Sequence, residues 1–274
     1  MMKLEFRKMH GLGNDFIIID GRSENVQLDK TQIRFLCERR TGIGCDQLVI
    51  MNKAKPGGDI ALEIFNADGQ EVQACGNASR CVAWLLMNET GKNIVKLETA
   101  SGVLECTRQN NAVCIDMGVP RFQWSEIPLA YQADSTALQL DIKGWDHTGI
   151  CVNTGNPHIV FFVNDLDKID IGTLGPKVEN HPVFEQKTNV EFARVISPGH
   201  IRMRVWERGV GITRACGTGA CATAAAAIKQ ELAHREVTIE LDGGNLDISW
   251  SRSNNHIYMS GPVSYVFDGI IEID

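Results

Sequence analysis

Short strand-like runs of apolar residues dominate this sequence. The runs that favour β-strands lie at 16–20, 94–98, 113–116, 159–163, 201–206, 237–241 and 246–250. Many of them end at turn sequences such as GVP, DGG and SNN. Helical spacing of apolar residues is confined to the stretches 30–39, 77–88, 169–180 and 218–233, the last through the Ala-rich sequence CATAAAAIKQELA.

The order of these elements predicts the fold class. Strands outnumber helices and do not alternate with them, which argues against a doubly wound nucleotide-binding sheet and favours the α+β class. The sequence contains neither GxGxxG after a strand nor a GxxxxGK[ST] loop. Nothing in it therefore points to a nucleotide site.

A set of fragments recurs at half the chain length. HGLGNDFIII returns as VNTGNPHIVFF, which places Asn156 142 positions after Asn14. GCDQLVI is followed at the same offset by KTNVEFA, which places Asn189 142 positions after Gln47. Each match is weak alone, because Gly and Asn are common, but the constant offset is hard to produce by chance.

Two further fragments keep the same register. FNADG, with Asn66, is followed 141 positions later by WERG, with Glu207. The triplet ACG, with Cys75, recurs 141 positions later with Cys216. We therefore expect two homologous domains that each supply the same set of groups.

We place the domains at 1–118, joined by about 264–274, and at 119–263. The simpler interpretation is a duplicated scaffold in which the repeated Gly and Asn residues only hold turns. Two thiols, several amides, a Glu and an Arg exceed what turns require. In a pseudo-symmetric pair of domains, equivalent surfaces can face each other across an interdomain cleft, which is a common place for a ligand.

Composition narrows the choice of partner and compartment. The 274 residues carry 27 basic and 34 acidic side chains, giving a formal charge of −7 without basic clusters. This balance argues against nucleic acid or a membrane as the main partner and favours a small molecule. The start MMKLEFRKMH lacks the apolar core of a signal peptide, so we expect a cytoplasmic protein whose nine cysteines are reduced.

Each ACG triplet directly precedes a predicted helix, so both thiols are expected at helix N-termini. Backbone N–H groups and the positive end of the helix dipole stabilise an anion there and lower the pKa of a cysteine. A substrate carboxylate between two such ends would accept hydrogen bonds from the amides of Gly76, Asn77, Gly217 and Thr218.

Three other interpretations of the cysteines were weighed. Zinc would favour closely paired ligands with a nearby His, whereas Cys75 is six residues from Cys81 and Cys216 is five from Cys221, so we expect no metal. A nucleophile activated by His158 would leave the second, equivalent thiol unexplained. A disulfide between the two thiols would not persist in the cytoplasm. The remaining seven cysteines are interpreted as structural.

Paired thiols on opposite faces of a carboxylate-bearing carbon suit inversion of that carbon. One thiolate removes the α-proton, and the opposite thiol donates a proton to the other face. Fixed dipoles would stabilise the charge that builds on the carboxylate. Such a reaction requires no cofactor.

Motifs lie along nearly the whole chain in the order HGLGNDF, GCDQL, NADG, ACGNASRC, TGNPH, NVEF, WERG and ACGTGAC. In this order they resemble the diaminopimelate epimerase family. The resemblance implies interconversion of LL- and meso-diaminopimelate without pyridoxal phosphate, on the route to lysine and peptidoglycan. It also implies two similar α+β domains, each a barrel-like mixed sheet around a central helix.

The resemblance assigns roles to individual residues. It makes Cys75 and Cys216 the acid/base pair, assisted by His158 and Glu207, which also help hold the substrate amino group. The four helix-start residues named above cradle the reacting carboxylate. The remaining positions that match substrate contacts of the family are Asn14, Gln47, Asn66, Asn156, Asn189 and Arg208, the last as partner of a distal carboxylate. A homodimer is a further expectation.

Simpler roles exist for several of these residues. Asn14 and Asn156 lie in GN sequences typical of turns, His158 follows a proline at a strand start, and Arg208 could be a surface charge. Two positions depart from the commonest family pattern. Ala78 replaces a frequent Gly, and Ile212 stands where many relatives have Glu.

Two alternative functions stay open from the sequence. One is a cofactor-independent racemase of another amino acid, such as histidine or hydroxyproline, although proline-racemase relatives typically carry CGH where this chain has CGN. The other is a binding module that closes on an amino acid. That module would have no use for paired thiols.

Overall fold

The computed structural model of the chain describes residues 2–73, 75–110 and 112–273. The chain divides into unit 1, Met1–Ile115 with Gly261–Asp274, and unit 2, Asp116–Ser260. The sequence places these boundaries at 118/119 and 263/264. Among the described residues, no helix has the length and apolar character needed to span a membrane.

Unit 1 is a mixed sheet with two helices. Its strands are β1 (Met2–Gly11), β2 (Asn14–Asp20), β3 (Gln47–Asn52), β4 (Ile60–Asn66), β5 (Glu71–Val72), β6 (Ile94–Thr99), β7 (Gly102–Gln109), β8 (Ala112–Asp116) and β17 (Ser264–Ile273). Its helices are α1 (Lys30–Cys37) and α2 (Gly76–Thr90). The β2–β3 and β4–β6 pairs are parallel, and the other neighbours are antiparallel.

Unit 2 follows the same plan. Its strands are β9 (Gly149–Asn153), β10 (Pro157–Phe162), β11 (Asn189–Ser197), β12 (His200–Glu207), β13 (Gly211–Thr213), β14 (Glu236–Leu241), β15 (Gly244–Trp250) and β16 (Ile257–Pro262). Its helices are α3 (Ile171–Glu179) and α4 (Gly217–Lys229), and a 3₁₀ turn lies at Leu166–Lys168. The parallel pairs are β10–β11 and β12–β14.

The order of pairings repeats between the units. In each unit the second and third strands are parallel, and one helix, α1 or α3, connects them. In each unit the fourth strand pairs with a short strand and then in parallel with the strand that follows the buried helix. This correspondence confirms the internal duplication that the sequence repeats predict.

The second helix of each unit is central to its sheet. Helix α4 packs against β9, β10, β11, β12, β14 and β15, and α2 packs against β1, β2, β6 and β7. Six alanines of α4 are completely buried, at positions 220, 222, 224, 225, 226 and 227. A helix that is apolar on all sides is buried, and alanine lets the surrounding strands approach its backbone closely. The α+β class and the central helices are as predicted.

Two details differ from the sequence-based expectation. Helix α4 ends at Lys229 rather than near 233, because Glu231 adopts a left-handed conformation (φ 59°) and the Leu232 amide bonds back to Ala227. Helix α1 ends at Cys37 because Glu38 is extended. Both ends are therefore set by backbone geometry that apolar spacing does not report.

Each unit has its own apolar core. In unit 1, strands β1 to β3 pack Leu4, Ile17 and Leu48 against Ile33 and Leu36 of α1. In unit 2 an aromatic cluster stands on the sheet, with the Trp145 ring edge-on to Phe161 and Phe192. Buried aromatic side chains contribute strongly to a core, and this cluster is central to the core of unit 2.

Candidate active site

The two repeated cysteines occupy the same position in the two units. Cys75 is the N-cap residue of α2 and Cys216 that of α4, and both have an extended backbone (φ −145° and −122°). The helices begin at Gly76 and Gly217. Backbone amides in the first turn of a helix have no acceptor within the helix. Each unit therefore presents a thiol beside amides suited to an anion.

In unit 1, Cys75 lies in a group of carboxamides. The Cys75 Sγ is 3.9 Å from the Asn14 Oδ1, and the same oxygen accepts a hydrogen bond from the Asn77 side chain at 3.1 Å. Arg80, which is completely buried, donates to the Asn77 Oδ1 at 2.9 Å. The structure thus brings together three residues that the sequence singles out, and the arginine behind them fixes the Asn77 amide.

A charged cluster holds Asn14 from the other side. Asn14 donates to the Asp46 carboxylate at 2.9 Å, and Arg39 bonds to both Asp46 and Asp15. The Lys8 Nζ lies 2.6 Å from Asp15. Burial opposes ionisation of Asp15, but the hydrogen bonds and charges of Arg39 and Lys8 prevail and hold the pKa of this carboxyl well below its usual range. An ionised Asp15 is therefore part of the support.

Gln47 and Asn66 form a second pair in unit 1. They lie opposite each other in the β3–β4 register, and the Gln47 Nε2 donates to the Asn66 Oδ1 at 2.9 Å. The other side-chain atom of Gln47, Oε1, is buried without a hydrogen-bond donor in the described part of the chain. A buried oxygen that accepts no hydrogen bond lowers the stability of the fold. A substrate group that donates to the Gln47 Oε1 would remove this cost, which fits a role in binding.

In unit 2, Cys216 lies beside carboxylates. The Gly219 amide donates to its Sγ at 3.4 Å, and the Thr218 hydroxyl is 3.6 Å away. Glu207 shares a hydrogen bond with the thiol and accepts another from the Thr213 hydroxyl. Burial, and then the negative charges of Glu207 and Glu191, raise the pKa of the Cys216 thiol well above its ordinary value. Burial also raises the pKa of Glu207.

His158 is completely buried, and both of its ring nitrogens have partners. The Nδ1 lies 2.7 Å from the Glu191 Oε1, and the Nε2 lies 2.7 Å from the Asn156 Oδ1. A positive charge on His158 would lower the pKa of Glu207, so the two side chains are near each other. The sequence-predicted residues Asn156, His158 and Glu207 therefore belong to one polar group around Cys216.

Asn189 and Arg208 also lie together. The Asn189 carboxamide donates to the Pro157 carbonyl at 2.9 Å and accepts from the Arg208 backbone amide at 2.9 Å. The Arg208 guanidinium donates to the Gln186 carbonyl at 3.0 Å. Asn189 thus connects the turn after β12 to the start of β10. A guanidinium has five N–H donors, so Arg208 can bond to further acceptors.

The structure adds residues that sequence analysis did not single out. They are Asp46, Arg80, Glu191 and Thr213, each bonded to a predicted site residue. Asp46 lies within the GCDQL motif and Glu191 within NVEF, so adjacency to a predicted residue was the available signal. The seven cysteines interpreted as structural are all buried.

Solved structures share the fold of this chain. One is a phenazine biosynthesis protein of the PhzF family from Bacillus anthracis, with a TM-score of 0.71 and 16% identity over all of both chains. Another is a hydroxyproline epimerase from Agrobacterium vitis, with a TM-score of 0.71 and 15% identity over 98% of this chain and 92% of the other. These likenesses define the class of fold: two duplicated α+β units.

Sequence relatives then define the family. The diaminopimelate epimerase family model matches residues 6–123 and 150–266. A diaminopimelate epimerase from Rhodospirillum centenum is 47% identical over 98% of this chain and 92% of its own length. One from Pelagibacter ubique is 48% identical over 96% of this chain and 97% of its own length. The chain belongs to the diaminopimelate epimerase family.

Proposed function

We propose that this chain is an isomerase that epimerises LL-diaminopimelate to meso-diaminopimelate by a two-thiol mechanism, without a cofactor. One observation carries the proposal: in a member of this family, each of two duplicated units has a cysteine as the N-cap of its central helix. The duplication thus supplies two equivalent acid/base groups. Inversion of one carbon requires such a pair.

In the proposed reaction, one cysteine acts as thiolate and removes the α-hydrogen as a proton. The electron pair of the broken C–H bond moves into the carboxylate, and the other cysteine donates its S–H proton to the opposite face. The first-turn amides at Gly76, Asn77, Gly217 and Thr218 stabilise the extra negative charge on the carboxylate. Glu207 takes the proton of the Cys216 thiol when that cysteine must act as the base, and His158 assists.

The remaining predicted residues bind the substrate in this proposal. The contacts are assigned to Asn14, Gln47, Asn66, Asn156, Asn189 and Arg208. Arg208 binds the distal carboxylate, because a guanidinium offers several N–H groups in a plane to such a group. Gln47 offers a buried acceptor, Oε1, to an ammonium group of the substrate.

Hydrogen exchange tests this proposal directly. The purified chain is incubated in D₂O with LL-diaminopimelate, meso-diaminopimelate, L-histidine or trans-4-hydroxy-L-proline, and NMR follows loss of the α-hydrogen signal. We expect deuterium at the α-carbon of both diaminopimelate isomers, with conversion between them. Faster exchange of histidine or hydroxyproline would contradict the substrate assignment.

We propose the cytoplasm as the site of action and a homodimer as the active form. The mechanism needs two reduced thiols, which a reducing compartment maintains. Strand β17 supports self-association, since it leaves 46–64% of Tyr265, Val266, Phe267 and Ile270 exposed. Sedimentation of Ile270→Asp should show a loss of dimer, whereas the control Val103→Asp, on β7, should sediment as the unaltered protein. If the unaltered protein and the Val103→Asp control both sediment as monomers, the homodimer is contradicted.

A further inference from the structure

We infer that Glu191 is a positioning residue of this site and that it acts through His158 to fix the Asn156 carboxamide. The inference rests on the proposed function, because it concerns the same reaction. Glu191 was not among the residues predicted from the sequence. All residues that carry the argument lie in unit 2.

The register of two parallel strands places the pair. His158 of β10 lies beside Asn189 of β11, and Val160 lies beside Glu191. Alternate residues of a strand share a face, so His158 and Glu191 project to the same side of the sheet. Their side chains meet at 2.7 Å between Nδ1 and Oε1, and both are completely buried. The contact is therefore built into the sheet.

This contact determines what each ring nitrogen can do. An ionised carboxylate can only accept, so the Nδ1 of His158 carries the hydrogen in its bond to Glu191. The Nε2 then has no hydrogen and can only accept, so the Asn156 carboxamide, which lies 2.7 Å from it, must donate through its NH₂ group. The bonds form a chain from Glu191 through His158 to Asn156. A rotation of the imidazole would break the bonds to Glu191 and Asn156 together.

The surroundings of Glu191 indicate that it is retained at a cost in stability. Its Oε2 is buried and accepts no hydrogen bond from the residues that the structure describes. An unmatched buried oxygen is destabilising, so stability alone does not account for a carboxylate at this position. The unmatched oxygen lies next to the predicted site, and proteins tolerate such local costs chiefly at functional sites.

Gly219 of helix α4 leaves the space that the Glu191 carboxylate occupies. A Cβ added at Gly219 would lie 2.8 Å from the Glu191 Oε1, so only glycine fits without a shift. The amide of the same Gly219 donates to the Cys216 Sγ. The carboxylate therefore packs against the helical turn that holds the thiol.

The test uses Glu191→Gln, Glu191→Leu and a matched control, Glu240→Gln. Glu240 also bonds to a histidine of unit 2, His200, at 2.9 Å, but both partners are about two-fifths exposed. We expect kcat/KM for diaminopimelate to fall roughly 10- to 100-fold in Glu191→Leu, as when an outer partner of a metal-bound histidine is lost. Glu191→Gln should retain part of this activity, and the control should match the parent.

Two further readouts separate positioning from a merely structural role. In a His158→Gln background, Glu191→Gln should change kcat/KM by less than about 2-fold, because coupled residues are not additive. In protein labelled with ¹⁵N-histidine, the ring signals missing in His158→Gln identify His158. We expect a protonated Nδ1 in the parent and a change of tautomer in Glu191→Leu.

The inference would be overturned if Glu191→Gln lowered kcat/KM by the same factor in the parent and in the His158→Gln background. Unchanged His158 ring signals in both Glu191 variants would also overturn it. If Glu191→Leu fails to fold, Glu191→Gln still decides through these two measurements. A parent protein that turns over diaminopimelate while the Glu191 variants match it refutes only this inference. A parent inactive on diaminopimelate refutes the proposed function, and the NMR result still reports on Glu191 and His158.

Discussion

The surroundings of Cys75 and Cys216 differ although their backbones agree. Both residues cap a central helix, and both helices begin at a glycine. Cys75 lies among the carboxamides of Asn14 and Asn77, which carry no net charge. Cys216 lies beside Glu207 and the charge of Glu191, which oppose its ionisation. Duplication thus preserved the backbone frame, while the polar side chains around it diverged.

This difference teaches how equivalent thiols acquire unequal proton affinities. A helix N-terminus favours a thiolate, but burial and two nearby carboxylates outweigh that effect at Cys216 and raise the pKa of its thiol. These surroundings favour the protonated thiol at Cys216. Burial also raises the pKa of Glu207, which in the proposed mechanism accepts the proton of Cys216.

The largest expected effect comes from removing either thiol. Cys75→Ala and Cys216→Ala should each lose epimerisation in both directions, roughly 100- to 10,000-fold, because each direction needs one base and one acid. Each variant should still exchange the α-hydrogen of one diaminopimelate isomer, and the two should prefer opposite isomers. Chiral chromatography and deuterium incorporation measure the two outcomes.

The control for this pair is Cys221→Ala, which lies in helix α4, the helix that Cys216 caps, and is completely buried. It should remain active. If one of the two N-cap variants keeps epimerisation near the parent rate while folded, the equivalence of the units in the mechanism is wrong.

A smaller effect is expected at the turn that follows β12. Arg208→Met should lower kcat/KM for diaminopimelate. The expected loss of transition-state stabilisation is about 1.5–3 kcal/mol, the range for a hydrogen bond to a charged group. Steady-state kinetics measure this loss. Arg194→Met, on the exposed part of β11, is the control and should have little effect. Kinetics unchanged by Arg208→Met would remove Arg208 from substrate binding.

The charged cluster of unit 1 predicts a stability effect. Asp15→Asn should lower the free energy of unfolding by about 1–3 kcal/mol, since Lys8 and Arg39 lose a charged acceptor. The folded-state pKa of Asp15 is lowered, so its stabilisation is fully present above the unfolded value of about 3.9 and is lost progressively as the pH falls from there through the lower folded-state value. Urea unfolding measures the free energy of unfolding of the parent and of Asp15→Asn. The difference between the two proteins should be smaller at pH 3 than at pH 7.

Glu126→Gln is the matched control for that measurement. Its partner Arg121 lies 3.8 Å away at the surface, where an ion pair contributes little. Equal losses in the two variants would mean that the unit 1 cluster contributes no more than an exposed pair.

The smallest expected effect tests Glu207. Thr213→Val removes a hydrogen bond that lowers the pKa of Glu207, so that pKa should rise further. Because the proposed role needs the ionised carboxylate, the acidic limb of the kcat/KM profile should move to higher pH, with near-parental activity on the alkaline side. Thr136→Val, which loses an exposed hydrogen bond to Asp134, is the control. Superimposable profiles would exclude Glu207 as the group that titrates.

The sequence by itself determined the duplicated α+β plan and the residues at the two helix starts. Apolar spacing located α1 to α4, because helix and strand periods are local properties. The fragments with Asn14 and Asn156, and those with Cys75 and Cys216, fixed the repeat. Each ACG triplet was predicted to precede a helix directly, and the two helices begin at the glycine of the triplet.

Only the tertiary structure decided which polar groups meet. Parallel pairing of β10 with β11 joins His158 to Glu191, which are 33 residues apart, and the end of β12 brings Glu207 to Cys216. Such contacts depend on strand register and burial, which are set by packing of the whole unit rather than by local spacing. For the same reason the sequence could place two thiols at helix N-termini, where a low pKa is expected, whereas the raised pKa of Cys216 follows from carboxylates that folding brings beside it.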